Sequence, residues 1–176
     1  MNKQDFRFSH RLRVRWAEVD MQKIVFNAHY LMYFDTAVAD YWRALAMPYE
    51  ESMQLLDGDL YVKKATVEFN ASARMDDRLE VALKCARIGN SSLTFQGAIF
   101  RGDELLITCE LIYVFADPAT QTSRPVPSAL RDLLAGFEAG EAVAQVGERG
   151  KEDFLGRTPT LVVEFRVRSK DGSWRW

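Results

Sequence analysis

The pattern of hydrophobic and polar residues predicts one long helix in the first third of the chain. Between residues 27 and 47, apolar side chains cover almost every helical face. Four of the few polar residues of this segment fall on one narrow stripe, namely His29, Thr36, Asp40 and Arg43. A helix that is apolar almost all round is a buried one, so we expect other elements to cover it. Asn27 is a plausible N-cap for this helix, and Pro48 ends it.

Alternating hydrophobic residues predict an antiparallel sheet in much of the remaining chain. The predicted strands cover residues 7–16, 60–72, 79–88, 92–101 and 105–115. In the first strand, one apolar face is formed by Phe8, Leu12, Val14 and Trp16. Two turn signals, Gly89 with Asn90 and Gly102 with Asp103, join the last three strands into a meander. An antiparallel sheet wrapped around one long buried helix is an α+β architecture.

The C-terminal part of the chain divides into a short helix and an extension. Ser128 can cap a helix over residues 129–139, and Gly140 ends it. Residues 140–159 are polar and rich in glycine, which is typical of a linker. Residues 160–168 have strand character again and are followed by turn residues, which predicts a strand or hairpin. We therefore expect one domain over residues 1–139 and an extension over residues 140–176 whose role the sequence does not indicate.

Composition and charge exclude several classes of protein. The 176 residues contain 23 Lys and Arg against 25 Asp and Glu, so the net charge of −2 disfavours a dedicated nucleic-acid binder. No segment resembles a secretory signal or a membrane span. Cys85 and Cys109 lie in apolar segments without a C-x-x-C spacing, which favours reduced core thiols in a cytoplasmic protein. The only histidines, His10 and His29, have no metal-ligand spacing, so we expect no bound metal.

The candidate chemistry lies just before the long helix. Asp20 belongs to a connection rich in apolar residues, where a carboxylate could act as a nucleophile or a general base. The free N–H groups of the first helical turn, from Asn27 to Tyr30, could polarise a substrate carbonyl. Together they would form an acyl-transfer site. The alternative is that Asp20 only shapes the loop, and residue chemistry alone favours that alternative.

A resemblance to a known family favours the acyl-transfer site. The segment RVRWAEVDMQKIVFNAHYLMYFD, residues 13–35, resembles the signature of hotdog-fold acyl-CoA thioesterases of the 4-hydroxybenzoyl-CoA thioesterase-like branch. The matching positions are Asp20, Val25, Asn27, Ala28, Tyr30, Leu31, Tyr33, Phe34 and Asp35. The later segment FADPATQTSRPVPSALRDLL is similar to the last strand, Pro-x-Pro loop and terminal helix of that family. The resemblance covers residues 8–138.

The resemblance implies an enzyme that hydrolyses an acyl or aryl thioester to a free acid and coenzyme A. Asp20 would be the catalytic carboxylate, and the backbone N–H of Asn27 would hold the carbonyl oxygen. The side chains of Asn27 and Tyr30 would line the site, and Phe26 and Tyr33 would line the path of the acyl group. Coenzyme A would enter only as part of the substrate, with no metal or redox cofactor. The family forms dimers whose sheets join, which implies a homodimer or homotetramer with sites between subunits.

One position departs from the family pattern. The family usually has glycine three residues after the catalytic aspartate, where this chain has Lys23. Either the loop takes a different path, or Lys23 points outward and reaches a carboxylated acyl group or a coenzyme A phosphate. A solvated lysine is the simpler interpretation. His29 could orient a water or assist proton transfer, although a packed or solvent-facing histidine is more common.

Basic and hydroxyl residues near strand ends are candidates for contacts with coenzyme A. They are Lys63, Lys64, Arg74 and Arg87, with Ser91 and Ser92 at the following hairpin turn. The departure at Lys23 leaves a second function open, a non-catalytic hotdog module that binds an acyl thioester. A hydratase acting on an enoyl thioester is a weaker third hypothesis, because the Asp and His motif of that branch is absent. The identity of the acyl group is not encoded in any of these patterns.

Overall fold

The main sheet of the protein has five antiparallel strands. The structure, a computed structural model, describes residues 1–141 and the backbone of residues 167–168 and 174–175. The strands are β1 (Phe8–Arg13), β2 (Asp59–Phe69), β3 (Arg78–Ile88), β4 (Ser92–Arg101) and β5 (Glu104–Ala116). Their spatial order is β1-β3-β4-β5-β2, so β1 and β2 are the edge strands. The strands β3, β4 and β5 form the expected meander, and β4 has the predicted bounds.

One long helix packs across this sheet, which confirms the predicted α+β architecture. The helices are α1 (Asn27–Ala44), α2 (Tyr49–Leu55) and α3 (Ser128–Ala139). The side of α1 that faces the sheet carries fully buried side chains such as Phe34 and Tyr41. Gly97 in β4 permits this close contact, because a Cβ atom at that position would lie 2.5 Å from the Phe34 ring.

The structure corrects several details of the predicted elements. Helix α1 begins at Asn27 itself, so the N-cap is Phe26 and not Asn27. The helix ends at Ala44, three residues before the predicted end, because Ala46 adopts a left-handed φ of 54°. Pro48 does not only stop α1 but also serves as the N-cap of α2, which the sequence analysis missed. Trp16 does not share the face of β1: the strand ends at Arg13, and the Trp16 side chain is 80% exposed.

Helix α1 runs from one end of the sheet to the other. At its start, the Tyr30 ring lies 5.8 Å from the Phe69 ring at the end of β2. Near its finish, Trp42 contacts Tyr49 of α2, and the Tyr49 hydroxyl donates a 2.6 Å hydrogen bond to Asp59 at the start of β2. We call these the Asp20 end and the α2 end of the sheet, because the loop that holds Asp20 precedes α1. Outward-facing Leu31 and Met32 are exposed, so α1 is not covered on every face within one chain.

Helix α3 closes the domain against β3. The Glu138 carboxylate accepts hydrogen bonds from the Tyr41 hydroxyl at 2.6 Å and the Cys85 N–H at 2.7 Å. The helix ends as predicted, with Gly140 in a left-handed conformation at φ 99°. Most of the predicted linker and of strand 160–168 lies outside the described residues, although Val167–Arg168 (β6) pairs antiparallel with Trp174–Arg175 (β7). None of the helices in the described part of the chain has the length and apolarity to cross a membrane.

Candidate active site

The loop before α1 holds Asp20 in a tight turn. The Asp20 N–H donates to the Ile24 carbonyl at 3.0 Å, and the Lys23 N–H donates to the Asp20 carbonyl at 2.9 Å. A bridge between Val19 and Val25 flanks this turn. The Asp20 side chain is half-buried, and its Oδ1 accepts a 2.8 Å hydrogen bond from the Gln22 N–H. The turn therefore fixes one carboxylate oxygen, and no hydrogen bond from the described residues occupies Oδ2.

Lys23 occupies this turn with glycine-like backbone geometry. Its φ is +62°, in the left-handed region that L side chains disfavour by roughly 1–2 kcal/mol. The loop thus follows a path that glycine would adopt without strain, and the exposed lysine side chain extends from it. A left-handed residue other than glycine is often found at functional sites, where the surrounding structure holds it in place.

Glu18 anchors the loop to α1, a role that the sequence analysis missed. Its side chain is only 3% exposed and accepts hydrogen bonds from the Tyr33 hydroxyl at 2.7 Å, the Arg15 N–H at 2.8 Å and Arg15 Nε at 2.7 Å. Burial by itself raises the pKa of Glu18, but hydrogen bonds from Arg15 and Tyr33 and the positive charge of Arg15 have the larger effect, so the pKa is lowered. Its carbonyl also accepts from the Phe26 N–H at 2.9 Å. In the sequence, the one sign of this anchoring role is that a charged residue, Glu18, stands between the apolar residues Ala17 and Val19.

The start of α1 supplies backbone donors next to the loop. Asn27 is the first helical residue and is exposed. The His29 N–H donates to the Phe26 carbonyl at 2.9 Å. The N–H groups of Asn27 and Ala28 have, by position, no acceptor within the helix. The positive end of the helix dipole therefore lies beside the Asp20 loop, where it favours a negative oxygen.

The two predicted tyrosines are built into the scaffold around Asp20. Tyr30 is buried, and its hydroxyl oxygen accepts a 2.9 Å hydrogen bond from the Ala73 N–H. Burial raises the pKa of both Tyr30 and Tyr33, so both hydroxyls keep their protons. The hydroxyl of Tyr33 is committed to Glu18. Of the expected lining residues at this end, Phe26 is 48% exposed and stacks edge-to-face with His29 at 6.0 Å.

Of the predicted coenzyme A contacts, only Arg74 lies near Asp20 of the same chain, because the carbonyl of its neighbour Ala73 accepts a 2.9 Å hydrogen bond from the Val25 N–H of the Asp20 loop. Lys63 and Lys64 lie exposed in β2, with Lys64 Nζ 3.6 Å from the Glu110 carboxylate. Arg87, Ser91 and Ser92 lie at the α2 end, because β3 begins beside the Asp20 loop and runs away from it for 11 residues. A strand of that length spans roughly 30 Å. Sequence order alone could not reveal this separation.

A second concave feature lies at the α2 end. It is a cavity of about 740 Å³ between the second half of α1, α2 and the sheet. The sequence analysis did not identify it, because its walls come from five separate elements. Among the described residues, no group of three or more His, Cys, Asp and Glu side chains is placed to hold a metal ion.

Comparison with known proteins identifies relatives over most of the chain. The family model described as the thioesterase-like superfamily matches residues 14–134. The acyl-CoA thioester hydrolase YbgC of Escherichia coli O6:H1 is 28% identical over 123 residues, covering 68% of this chain and 89% of that protein. A 1,4-dihydroxy-2-naphthoyl-CoA thioesterase from Synechocystis has a TM-score of 0.67 at 18% identity, covering 73% and 95%. A Staphylococcus aureus protein solved in complex with CoA has a TM-score of 0.68 at 15% identity, covering 77% and 85%.

Proposed function

The chain belongs to the thioesterase-like superfamily and is a thioester hydrolase, and we propose that it cleaves acyl-CoA through the carboxylate of Asp20. Its hotdog fold confirms the expectation from the sequence. One observation carries the proposal: a half-buried carboxylate is held by backbone hydrogen bonds directly before the N-terminus of a long helix. This arrangement supports a nucleophile or base in the loop and a carbonyl-binding donor at the start of α1.

The chemistry follows from these two groups. Asp20 either attacks the thioester carbon to give a mixed anhydride, which water then hydrolyses, or takes a proton from the water that attacks directly. In both routes the carbon–sulfur bond breaks, and coenzyme A leaves as a thiolate that takes up a proton. The Asn27 N–H donates to the carbonyl oxygen as its negative charge develops, a contact typically worth about 3 kcal/mol of barrier. No further cofactor is needed.

We propose further that two copies of the chain join through β2. This strand pairs only with β5 in the described part of the chain, and its other edge is open. Val62 and Phe69 on β2 are 53% and 56% exposed, and Leu31 and Met32 of α1 are also exposed. An open edge strand with exposed apolar residues is a liability unless another strand covers it. The occupant that fits is the same strand of a second copy, in a homodimer or in a homotetramer of two dimers.

The predicted substrate contacts do not all lie at one place: some lie at the Asp20 end, and the others lie in the middle of β2 or at the α2 end. Lys23, Phe26, His29 and Tyr30 surround the Asp20 turn and remain our candidates for contacts near the thioester. The candidates for coenzyme A phosphates are Lys63, Lys64, Arg87, Ser91 and Ser92. They lie far from Asp20 of their own chain, so they serve a site only if a second copy brings its Asp20 towards them. The free, buried Cys85 and Cys109 support a cytoplasmic protein.

Thiol release from a panel of acyl-CoA and aryl-CoA thioesters tests the proposal. The wild type should release thiol from at least one of them, and Asp20→Asn should lose on the order of 10²- to 10⁴-fold in turnover. The matched control is Asp132→Asn, an exposed aspartate on α3 that should keep wild-type turnover. Full activity of Asp20→Asn would overturn the mechanism. A shift in Tm with acyl-CoA but no thiol release would instead support the non-catalytic binding module.

A further inference from the structure

The segment between β2 and β3, residues 70–77, touches both parts of the candidate active site through one residue. Ala73 is fully buried, and its carbonyl accepts a 2.9 Å hydrogen bond from the Val25 N–H beside the Asp20 turn. Its own N–H donates a 2.9 Å hydrogen bond to the Tyr30 hydroxyl in the first turn of α1. One residue therefore ties the loop that carries the carboxylate to the helix start that carries the backbone donors.

Two side chains hold Ala73 in place. The Asp77 carboxylate oxygen Oδ2 accepts hydrogen bonds from the Arg74 N–H at 2.8 Å and from Arg101 Nη1 at 2.7 Å. The same Nη1 of Arg101 also reaches the Ser72 carbonyl at 3.4 Å. Ser72 and Arg74 are the two neighbours of Ala73 in the chain, so the ion pair of Asp77 with Arg101 fixes Ala73 from both sides.

Arg101 is itself held in position before it reaches this segment. It is the last residue of β4, and the turn at Gly102, with a φ of 58°, brings Glu104 beside it. The Glu104 carboxylate accepts hydrogen bonds from Arg101 Nη2 at 2.7 Å and from Nε at 3.2 Å. The planar guanidinium thus has one edge fixed on the hairpin and presents Nη1 to the segment.

The ends of the segment are fixed independently of the ion pair. The Asn70 N–H donates to the Leu106 carbonyl at 2.8 Å. At the other end, the Val14 N–H donates to the Asp77 carbonyl at 2.9 Å. These backbone hydrogen bonds persist in a side-chain variant, so loss of the ion pair should displace the middle of the segment without detaching its ends.

The charges around Tyr30 place this ion pair next to the site. Burial is the largest cause of the raised pKa of Tyr30. The charges of Arg101, Asp77 and Asp20 act on the same hydroxyl, since Arg101 lowers its pKa and the two carboxylates raise it. The three charged groups are therefore neighbours of one buried hydroxyl, although they come from three separate parts of the sequence.

We propose that the ion pair of Asp77 with Arg101 positions the Asp20 carboxylate against the N-terminus of α1, through the backbone of the segment between β2 and β3. The inference rests on the proposed catalytic function of Asp20. Neither side chain of the pair has to touch the substrate, because both act through Ala73. A partly exposed ion pair contributes little to stability, whereas a shift of about 1 Å between reacting groups can cost on the order of 10²-fold in rate. We therefore expect the pair to matter more for turnover than for folding.

Steady-state kinetics of Arg101→Met test the positioning role, with hexanoyl-CoA or benzoyl-CoA, whichever the wild type hydrolyses faster. The value of kcat should fall by about 10- to 100-fold while KM stays within about twofold, because the contacts with substrate are intact. Arg101→Lys keeps the charge and can still reach Asp77, so it should recover part of the lost kcat. A wild-type kcat for Arg101→Met, or a KM that rises by as much as kcat falls, would overturn the proposal.

Arg124→Met is the matched control, because Arg124 makes the same kind of contacts at the α2 end. Its side chain is 38% exposed, compared with 33% for Arg101, and it pairs with Asp57 at 3.0 Å. It also donates to a backbone carbonyl, that of Asp57. This variant should keep the wild-type kcat, and an equal loss of kcat in Arg124→Met and Arg101→Met would contradict a specific role for Arg101.

Hydrogen exchange at the Val25 N–H measures the tie to the Asp20 loop directly. In Arg101→Met this amide should exchange roughly tenfold faster than in wild type, the factor expected when one hydrogen bond of typical strength is lost. The Phe115 N–H, which donates to the Ser91 carbonyl at the α2 end, should exchange at the wild-type rate. Asp77→Asn keeps the shape of the side chain and provides the same test if Arg101→Met does not fold. Unchanged exchange at Val25 would overturn the proposal.

A double-mutant cycle with Asp20→Asn separates this inference from the proposed function. If Arg101 acts through Asp20, Arg101→Met should change the residual kcat of Asp20→Asn by less than about twofold, because no catalytic carboxylate is left to position. If the two losses multiply, the positioning role fails while the Asp20 mechanism stands. If Asp20→Asn alone keeps the wild-type kcat, the catalytic role of Asp20 fails, and the positioning role fails with it.

Discussion

Replacing Lys23 by glycine should stabilise the protein, because the backbone strain at this position is visible in the structure. Lys23 has a φ of +62°, and an L side chain pays roughly 1–2 kcal/mol for the left-handed conformation. Glycine removes that cost. It also gives the unfolded chain more conformational freedom, which opposes folding by about 0.4–1 kcal/mol relative to a residue with a side chain. The difference predicts a net gain of up to about 1.5 kcal/mol in the free energy of unfolding.

Urea unfolding of wild type and Lys23→Gly, followed by tryptophan fluorescence, measures this difference. Gln22→Gly is the matched control, because it introduces glycine into the same loop at a residue without a positive φ. The control should lose stability by up to about 1 kcal/mol. If Lys23→Gly is also destabilised, the strain argument is wrong and the lysine side chain makes a stabilising contact.

The same variant separates the two interpretations of the lysine. If the ammonium group contacts substrate, Lys23→Gly raises KM while kcat changes little. If the side chain is only solvated, both constants remain at the wild-type value. If Lys23→Gly is more stable than wild type but has a higher KM, the backbone strain at Lys23 is retained because its side chain binds substrate.

The remaining predictions concern the loop anchor, the helix contact and the dimer edge. Glu18→Gln should lower the free energy of unfolding by about 2–3 kcal/mol, since the buried carboxylate loses its ion pair with Arg15 and its charge-assisted hydrogen bond from Tyr33. The pKa of Glu18 is lowered on folding, so the difference in the free energy of unfolding between wild type and Glu18→Gln should be full at neutral pH and should disappear as the pH falls below about 4. A difference that persists in acid would contradict this role of the Glu18 charge. Gly97→Ala should cost about 1–3 kcal/mol because its Cβ meets the Phe34 ring at 2.5 Å, and an unchanged Tm would refute this. Val62→Lys should convert the proposed dimer to monomers in light scattering, whereas an unchanged mass would exclude β2 as the interface.

Local signals in the sequence account for the parts of the fold that were predicted well. The glycine turns at 89 and 102 bracket β4, so its bounds could be read directly from the chain. Gly140 likewise ends α3 where a left-handed residue is needed. In contrast, α2 is only seven residues long, too short to show a helical period, and Pro48 reads as a stop rather than a start. Trp16 continues the alternation of β1 in sequence, although the chain has already left the sheet.

The candidate site could be predicted only as far as it is local in sequence. Asp20 and Asn27 lie seven residues apart, so the motif placed them together before the fold was known. The role of Glu18 depends on Tyr33, which is 15 residues away, and no pattern of residues indicates that hydrogen bond. The cavity at the α2 end depends on elements separated by more than half of the described chain. Its position at the α2 end follows from the direction of α1 across the sheet, which only the three-dimensional structure provides.

The central claim is that Asp20 is needed to cleave the thioester but is not needed to bind it. The most direct measurement determines kcat and the acyl-CoA Kd on one preparation of Asp20→Asn, beside wild type. The account predicts that kcat falls on the order of 10²-fold or more while Kd is unchanged. Retention of wild-type kcat would contradict the catalytic role, and loss of binding in step with turnover would assign Asp20 to the fold of the loop.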